Sequence, residues 1–354
     1  MKAILLAGGA GTRLRPLTFN TPKPVVPVFN RPLLLYQLDL LRQVPLLDEV
    51  ILSLNYQPSR IKELLGDGHD LGLKLRYVVE PTPLGTAGAL KYAQRYLDET
   101  TIVFNGDVLS QVDLPSIVQF HHERAARATI VLTPVEDPSA YGLVETDANA
   151  NVQRFLEKPT GDQITCNTIN AGIYVIETDA LDRIPDETNW STERRFFPEL
   201  IEHNERFLAF VSSGYWIDIG TPNKYRQVHH DIMDGLFSAA PFDTQPAGTA
   251  LIAKSAKIDK GVKVEGPCFI DEGVVVNAGS RIGPYTVLGR ECTVKDNVQL
   301  DGSIVWPHCQ IDPGANLVDV ILGHDCQIGK DLVLRPGTIL GDKSVVTEND
   351  SSGA

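Results

Sequence analysis

Short apolar runs and amphipathic stretches alternate through the first third of the chain. Residues 3–7, 50–54 and 101–104 are largely apolar runs of strand length, and 73–79 also reads as a strand. Between them, residues 33–42, 61–65 and 87–97 carry apolar positions at helical spacing. Strands alternating with helices at this spacing predict a mostly parallel sheet with helices on both faces. Such sheets bind ligands at the carboxyl ends of their strands. From residue 128 the pattern changes to short strands, predicted at 128–134, 143–145, 152–157 and 169–176. Thr221 and Pro222 then read as the N-cap and first position of a helix over 223–235.

Beyond residue 250 a period of six takes over. Aliphatic residues fall at Ile252, Ile258, Val264, Ile270, Val276, Ile282, Leu288, Val294 and Leu300. One step of five resets the frame to Val305, Ile311 and Leu317, and another to Leu322, Ile328, Leu334 and Leu340. Four positions after each stands a small or aliphatic residue, among them Cys268, Cys292, Ile304, Cys309, Ile321 and Cys326. Both sets are expected to point into a triangular β-solenoid of about five coils, which resembles the left-handed β-helix of hexapeptide-repeat proteins. The expected organisation is a catalytic domain at 1–236, a linker at 237–250, the β-helix at 251–346 and a disordered tail at 347–354.

Composition narrows the class. The 354 residues suffice for two cores, and 43% hydrophobic with 22% charged residues is ordinary for a globular protein. A net charge of −13 argues against a nucleic-acid partner, so any phosphate site must be a local basic pocket. No apolar run reaches the length of a membrane span, and the N-terminal run is too short for a signal-peptide core. Five cysteines, an odd number without a C-x-x-C pair, suggest reduced thiols and a cytoplasmic location. Neighbouring histidines at 121–122 and 229–230 point different ways on their helices and read as helix-surface residues, not ligands.

The candidate chemistry begins at the end of the first strand. Leu6, Ala7, Gly8, Gly9, Gly11 and Thr12 form a glycine-lined stretch whose amides can approach an anion, because no Cβ intervenes. Arg13 and Lys23 add permanent positive charge, as a triphosphate requires. The stretch is not a Rossmann fingerprint, since Leu14 replaces the third glycine, and not a P-loop, since no lysine follows Gly11. Asp107 follows the strand at 101–104 directly, so it can face the same crevice as the glycine loop.

The full string LAGGAGTRLRPLT, followed by P-K-P at residues 22–24, resembles the opening of the sugar-1-phosphate nucleotidylyltransferases. The resemblance extends to P-L-G-T-A-G at 83–88, Y-G-x-V at 141–144, E-K-P at 157–159, I-N-A-G at 169–172 and W-I-D-I-G at 216–220. The family's V-E-K-P has Leu156 in its first position here, a conservative departure. The resemblance implies a Rossmann-like nucleotide-diphospho-sugar transferase domain with a mixed, mostly parallel sheet. It implies that Gly85 and Thr86 contact the nucleobase, and that Gly142, Glu157, Lys158 and Asn170 hold the sugar phosphate. It also implies that Asp107 and Asp218 bind Mg2+, with Arg13 and Lys23 as the catalytic cations.

The expected reaction is nucleotidyl transfer from an NTP to a sugar 1-phosphate, with GTP and mannose 1-phosphate as the favoured pair. Thymidylyl, uridylyl or adenylyl transfer to glucose 1-phosphate uses the same chemistry and remains open. A noncatalytic regulatory subunit is disfavoured by the intact charge set Arg13, Lys23, Asp107, Lys158 and Asp218. Acetyl transfer in the solenoid is disfavoured because its two histidines, His308 and His324, carry no acetyl-CoA signature. The repeats are expected to stack against a second copy, giving a homo-oligomer.

Overall fold

In the computed structural model, residues 1–45, 47–97 and 100–347 are described, so most of the tail expected at 347–354 lies outside them. The chain forms two compact units. One joins Met1–Ala10 to Leu34–Asp218, and the other joins Gly11–Leu33 to the chain from Ile219 onward.

In the first unit the apolar runs form strands as their pattern predicts. They are β1 (Lys2–Leu6), β2 (Glu49–Leu54), β3 (Leu75–Val79) and β4 (Thr100–Asn105). Helices α1 (Leu33–Leu41), α2 (Pro58–Leu65) and α3 (Gly85–Ala93) lie between them in sequence. A short strand β5 (Val108–Ser110) and helix α4 (Leu114–Glu123) lead to β6 (Ala128–Pro134), β7 (Gly142–Thr146), β8 (Val152–Glu157) and β9 (Thr168–Glu177). Helix α5 (Phe197–Glu202) and strands β10 (Phe207–Val211) and β11 (Trp216–Asp218) complete the unit. The main sheet runs β8-β7-β9-β4-β1-β2-β3, with β6 on β9 and β10 on β6. Strands β4, β1, β2 and β3 are mutually parallel, whereas β9 is antiparallel to β4, giving a mixed sheet. Ile4, Ile51, Val78, Val103 and Tyr174 pack with Leu90 and Phe197 into its core.

The second unit contains α6 (Pro222–Met233) and a left-handed parallel β-helix. Thr221 caps α6 by accepting from the Lys224 amide, with Pro222 at the first position as the sequence predicts. Three parallel sheets of six, six and five short strands form the walls of the solenoid. The six-residue aliphatics from Ile270 to Ile328 fill its interior, together with Cys268, Cys292, Cys309 and Cys326. Burial pushes the Cys268 thiol up to about 11, so this cysteine is inert packing.

Three expected interior residues are not there: Ile252, on the first strand of the solenoid, is 40% exposed, and the other two lie where the period slips. At the five-residue steps, Ser303 and Val320 take the inward position, and Ile304 and Ile321 lie outside the interior cluster. The Ser303 hydroxyl is satisfied inside, donating to Leu317 O and accepting from the Val320 amide. Ile304 and Ile321 turn to the outer face with Phe269 and Val287, yet all four are at least 93% buried. A solenoid wall that is apolar on both sides must be covered, and here it is: Phe29, Phe242 and Phe269 form an aromatic cluster, with centroids 5.2 Å apart for Phe29–Phe242 and 5.6 Å for Phe29–Phe269.

The histidine expectation is corrected too. His121 and His229 are each only 1% exposed, so they are core residues with satisfied ring nitrogens and not surface ones. His121 bonds Thr129 and Glu177, and His229 bonds Tyr225 O and the Phe29 amide.

Candidate active site

The carboxyl ends of β1 and β4 bring the first functional group together. Their parallel register places Leu6 opposite Asn105, and the Gly106 amide donates to Leu6 O at 3.0 Å. A Cβ on Gly106 would lie 2.6 Å from Leu6 O, so only glycine lets the two strand ends meet. The cradle that follows β1 is open at its tip: nothing lies within 4 Å of where a Gly9 Cβ would stand. Gly8, by contrast, sits against Asn55 and the Glu80 carboxylate, which a Cβ would meet at 3.2 and 3.4 Å.

Asp107 and Asp218 come from residues 111 apart in sequence, and strand pairing joins them. Strand β11 pairs antiparallel with β5, with Asp218 directly opposite Val108 and so next to Asp107. Directly opposed residues in such a pair have Cα atoms about 4.5–5.5 Å apart. The Tyr141 hydroxyl donates to Asp218 Oδ1 at 3.1 Å, and Trp216 Nε1 donates to Ala171 O at 2.9 Å, fixing the strand that carries it. Among the described residues no group of three or more His, Cys, Asp or Glu is arranged to hold a metal. A two-carboxylate site suits a hard divalent cation whose remaining ligands are phosphate oxygens and water.

Gln37 was not anticipated from the sequence. Only 2% exposed, it donates from Nε2 to both Asn105 O and Val108 O, at 2.9 and 2.8 Å. It therefore clamps the turn bearing Asp107. The available signal was a lone amide in the apolar face of α1.

The four expected sugar-phosphate residues share one corner. Gly142 and Glu157 are cross-strand partners, and Ile169, which precedes Asn170, pairs with Leu143. A Cβ on Gly142 would come 2.6 Å from the Phe155 ring, so a side chain there would disturb the strand end. Lys158 has φ +52°, its amide donating to Tyr141 O at 2.8 Å. A lysine in the left-handed region costs about 1 kcal/mol or more, a strain that clusters at functional sites. Burial raises the Glu157 pKa, and the nearby Glu193 carboxylate raises it further, while Lys158 and Arg194 oppose the shift. Asn170 donates to the Tyr174 hydroxyl at 2.9 Å and accepts from the Gly172 amide at 2.8 Å.

Gly85 opens α3 with φ +72°, and a Cβ there would lie 2.7 Å from Trp190 O. Thr86 does not act as the helix cap, which is Leu84. Its hydroxyl instead bonds Thr192 and Glu193, tying this loop to a π-helical turn at Thr192–Phe196. Glu193 thereby links the expected base loop to the expected sugar corner, a role that adjacent charges in the sequence did not reveal. Behind the base loop, Glu80 accepts from the Leu84 amide at 3.1 Å and from the Ser53 hydroxyl at 3.0 Å. Its burial raises its pKa despite those bonds.

Arg13 and Lys23 belong to the second unit. Gly11 has φ +61° and starts a single 3-10 turn at Thr12–Leu14, and Thr18 Oγ1 donates back to Gly11 O at 2.8 Å. Arg13 is exposed on that turn. Lys23 begins a second turn, Lys23–Val25, and is 8% exposed.

Comparisons with known proteins identify the family. A family model described as nucleotidyl transferase matches residues 2–235, and one described as GMPPB C-terminal domain matches residues 264–350. A mannose-1-phosphate guanylyltransferase from Mycobacterium tuberculosis is 37% identical, over 88% of this chain and 81% of its own. Mannose-1-phosphate guanylyltransferase 1 from Arabidopsis thaliana is 35% identical, over 98% of this chain and 97% of its own. Among solved structures, HddC from Yersinia pseudotuberculosis superposes with a TM-score of 0.55 at 31% identity, covering 64% of this chain and 96% of that one. The chain belongs to the nucleotidyl transferase family and is a sugar-1-phosphate nucleotidylyltransferase with a β-helix appended.

Proposed function

We propose that the chain transfers a guanylyl group from GTP to mannose 1-phosphate, giving GDP-mannose and pyrophosphate. The observation that carries the reading is the pairing of β5 with β11, which sets Asp218 beside Asp107 at the end of the cradle strand. The names of the relatives similar over nearly the whole chain support the choice of base and sugar.

In this reading a phosphate oxygen of the sugar substrate attacks the α-phosphorus, and the α–β anhydride bond breaks. Pyrophosphate leaves with the bonding electron pair. No protein nucleophile is required, so the chain contributes position and charge. Amides of Leu6, Ala7, Gly8, Gly9, Gly11 and Thr12 cradle the nucleotide. Arg13 faces the leaving pyrophosphate, and Lys23 offsets charge on the transferring phosphoryl group. Lys158 holds the sugar phosphate, with Gly142, Glu157 and Asn170 around the sugar, while Gly85 and Thr86 border the base. Asp107 and Asp218 would hold Mg2+, which would supply positive charge to offset that of the phosphates.

The exposed Val318, Val333 and Val345 on the β-helix support a homo-oligomer formed through that unit. The five unpaired thiols suit a reducing, cytoplasmic setting. No helix among the described residues is long and apolar enough to cross a membrane.

The test is pyrophosphate release with Mg2+, crossing GTP, dTTP, UTP and ATP against mannose 1-phosphate and glucose 1-phosphate. GTP with mannose 1-phosphate should dominate. A different winning pair keeps the reaction and changes the specificity. Silence across the panel from folded protein would return the regulatory-subunit reading.

A further inference from the structure

The segment that carries Arg13 and Lys23 is folded as part of the β-helix unit. Its ties run along one wall of the solenoid. Near one end, Asn30 Nδ2 donates to Asp271 Oδ2, just after the strand Cys268–Ile270. Near the other, the Thr21 hydroxyl donates to Asp342 Oδ2 at 3.1 Å, just after the strand Ile339–Leu340. Those two strands are four steps apart in one six-stranded sheet. At about 4.8 Å per step the distance is roughly 19 Å, within reach of the ten residues from Thr21 to Asn30. Pro16 lies against the last coil as well: a Cβ on Gly341 would stand 3.1 Å from Pro16 O.

We propose that Asp342 is a positioning residue for Lys23, so that the last coil of the β-helix sets the geometry of the catalytic cation. Asp342 is itself fixed, since its Oδ1 accepts from the His324 amide at 2.9 Å. The carboxylate thus bridges two coils and the loop. Thr21 is only 4% exposed and lies two residues before Lys23, with Pro22 stiffening the link. Val25 and Val26 amides donate to Pro22 O and Lys23 O, so the turn bearing Lys23 is rigid once Thr21 is held. The inference rests on the assignment of Lys23 to transition-state charge.

The experiment compares the full-length variants Thr21→Val, Thr21→Ser, Asp342→Ala, Asp342→Asn, the double variant Thr21→Val/Asp342→Ala, and Lys23→Ala. Thr21→Val removes the donor at constant volume and should lower kcat about ten- to a hundred-fold, the range expected for a displaced catalytic group. KM for mannose 1-phosphate should stay near its original value. Asp342→Ala, which also deletes the acceptor of the His324 amide, should lower kcat at least as far, and the double variant should be no worse than Asp342→Ala, because Thr21→Val then has no interaction left to remove. Thr21→Ser should restore the rate. Asp342→Asn should do so too, since its amide oxygen still serves the His324 amide and its NH2 can meet the Thr21 oxygen. Hydrogen exchange at Val25 and Val26 should quicken in Thr21→Val and not in Thr21→Ser. A Thr21→Val enzyme within two-fold of wild-type kcat, beside an inactive Lys23→Ala, would overturn the positioning role alone. An active Lys23→Ala would instead overturn the reading beneath it.

Discussion

Gly11 lies directly against Lys23: a Cβ on Gly11 would stand 2.9 Å from the Lys23 Cβ and 3.1 Å from Thr18 Cγ2. The signature glycine and the signature lysine, eleven intervening residues apart, are therefore packing partners. Glycine at this position serves contact as well as amide exposure. Its φ of +61° adds a second requirement.

Gly11→Ala should accordingly destabilise the fold by about 1–3 kcal/mol, combining left-handed strain with overpacking. It should also lower kcat, because the stem of Lys23 must move. A thermal melt together with steady-state turnover checks both. A variant with an unchanged melt and unchanged kcat would show that the contact relaxes without consequence.

The paired aspartates make a separate prediction. Asp218→Asn keeps an oxygen that can accept from Tyr141, and so should fold normally while losing charge. Turnover should fall by about 10²–10³, the usual cost of removing one electrostatic stabiliser. The metal concentration for half-maximal rate should rise, and Asp107→Asn should behave alike. Titration of Mg2+ against initial rate is the measurement. Unchanged half-saturation in both variants would remove the pair from the metal site.

Glu80 gives a stability prediction with a definite sign. Burial raises its folded-state pKa, so the native state holds a proton that the unfolded state releases first. Its contribution is therefore most favourable at low pH and is lost as pH rises through the raised value. Glu80→Gln can keep both bonds, its oxygen accepting from the Leu84 amide and its NH2 donating to Ser53. The variant should gain stability relative to wild type as pH climbs above the ordinary glutamate range, with the difference vanishing in acid. Urea midpoints at several pH values would show it; a difference independent of pH would place the effect in packing.

How much of this was legible in sequence depended on how local the cause is. The Thr221-Pro222 cap and the strand of residues 2–6 follow from short-range rules, and both stand where those rules put them. The six-residue period located the solenoid interior but failed at its two five-residue steps. There one residue satisfies two frames, and the competition between Ser303 and Ile304 is settled by an outer wall that is also buried. Gln37, Glu193 and the buried histidines were hidden for a different reason. Their partners are remote: Gln37 reaches Asn105 and Val108, and Glu193 reaches Thr86. No spacing rule records such contacts. The Asp107–Asp218 pairing is remote too, and it was suggested by magnesium's preference for a pair of carboxylates together with the family resemblance, not by spacing.

His229 makes the last prediction, again through protonation. Phe29 N donates to its Nε2 at 3.3 Å, so the proton must reside on Nδ1, which donates to Tyr225 O at 2.8 Å. Both nitrogens are committed in the neutral ring, and burial lowers the pKa to about 4, with the neighbouring His230 adding to the shift. Below its ordinary value of 6.5 the unfolded chain takes up a proton that the native ring refuses. The fold should therefore lose stability as pH falls from about 6.5 to about 4, by an amount on the order of 3 kcal/mol, and lose no more from this group below that. Protonation would turn Nε2 into a donor facing the Phe29 amide, loosening the end of the loop that ties to α6. His229→Gln should flatten the acid slope, since glutamine does not titrate, while lowering stability at neutral pH through its poorer fit. The check is the pH dependence of the urea midpoint between pH 4 and 7 for both proteins. Parallel slopes would show that His229 is not the titrating group.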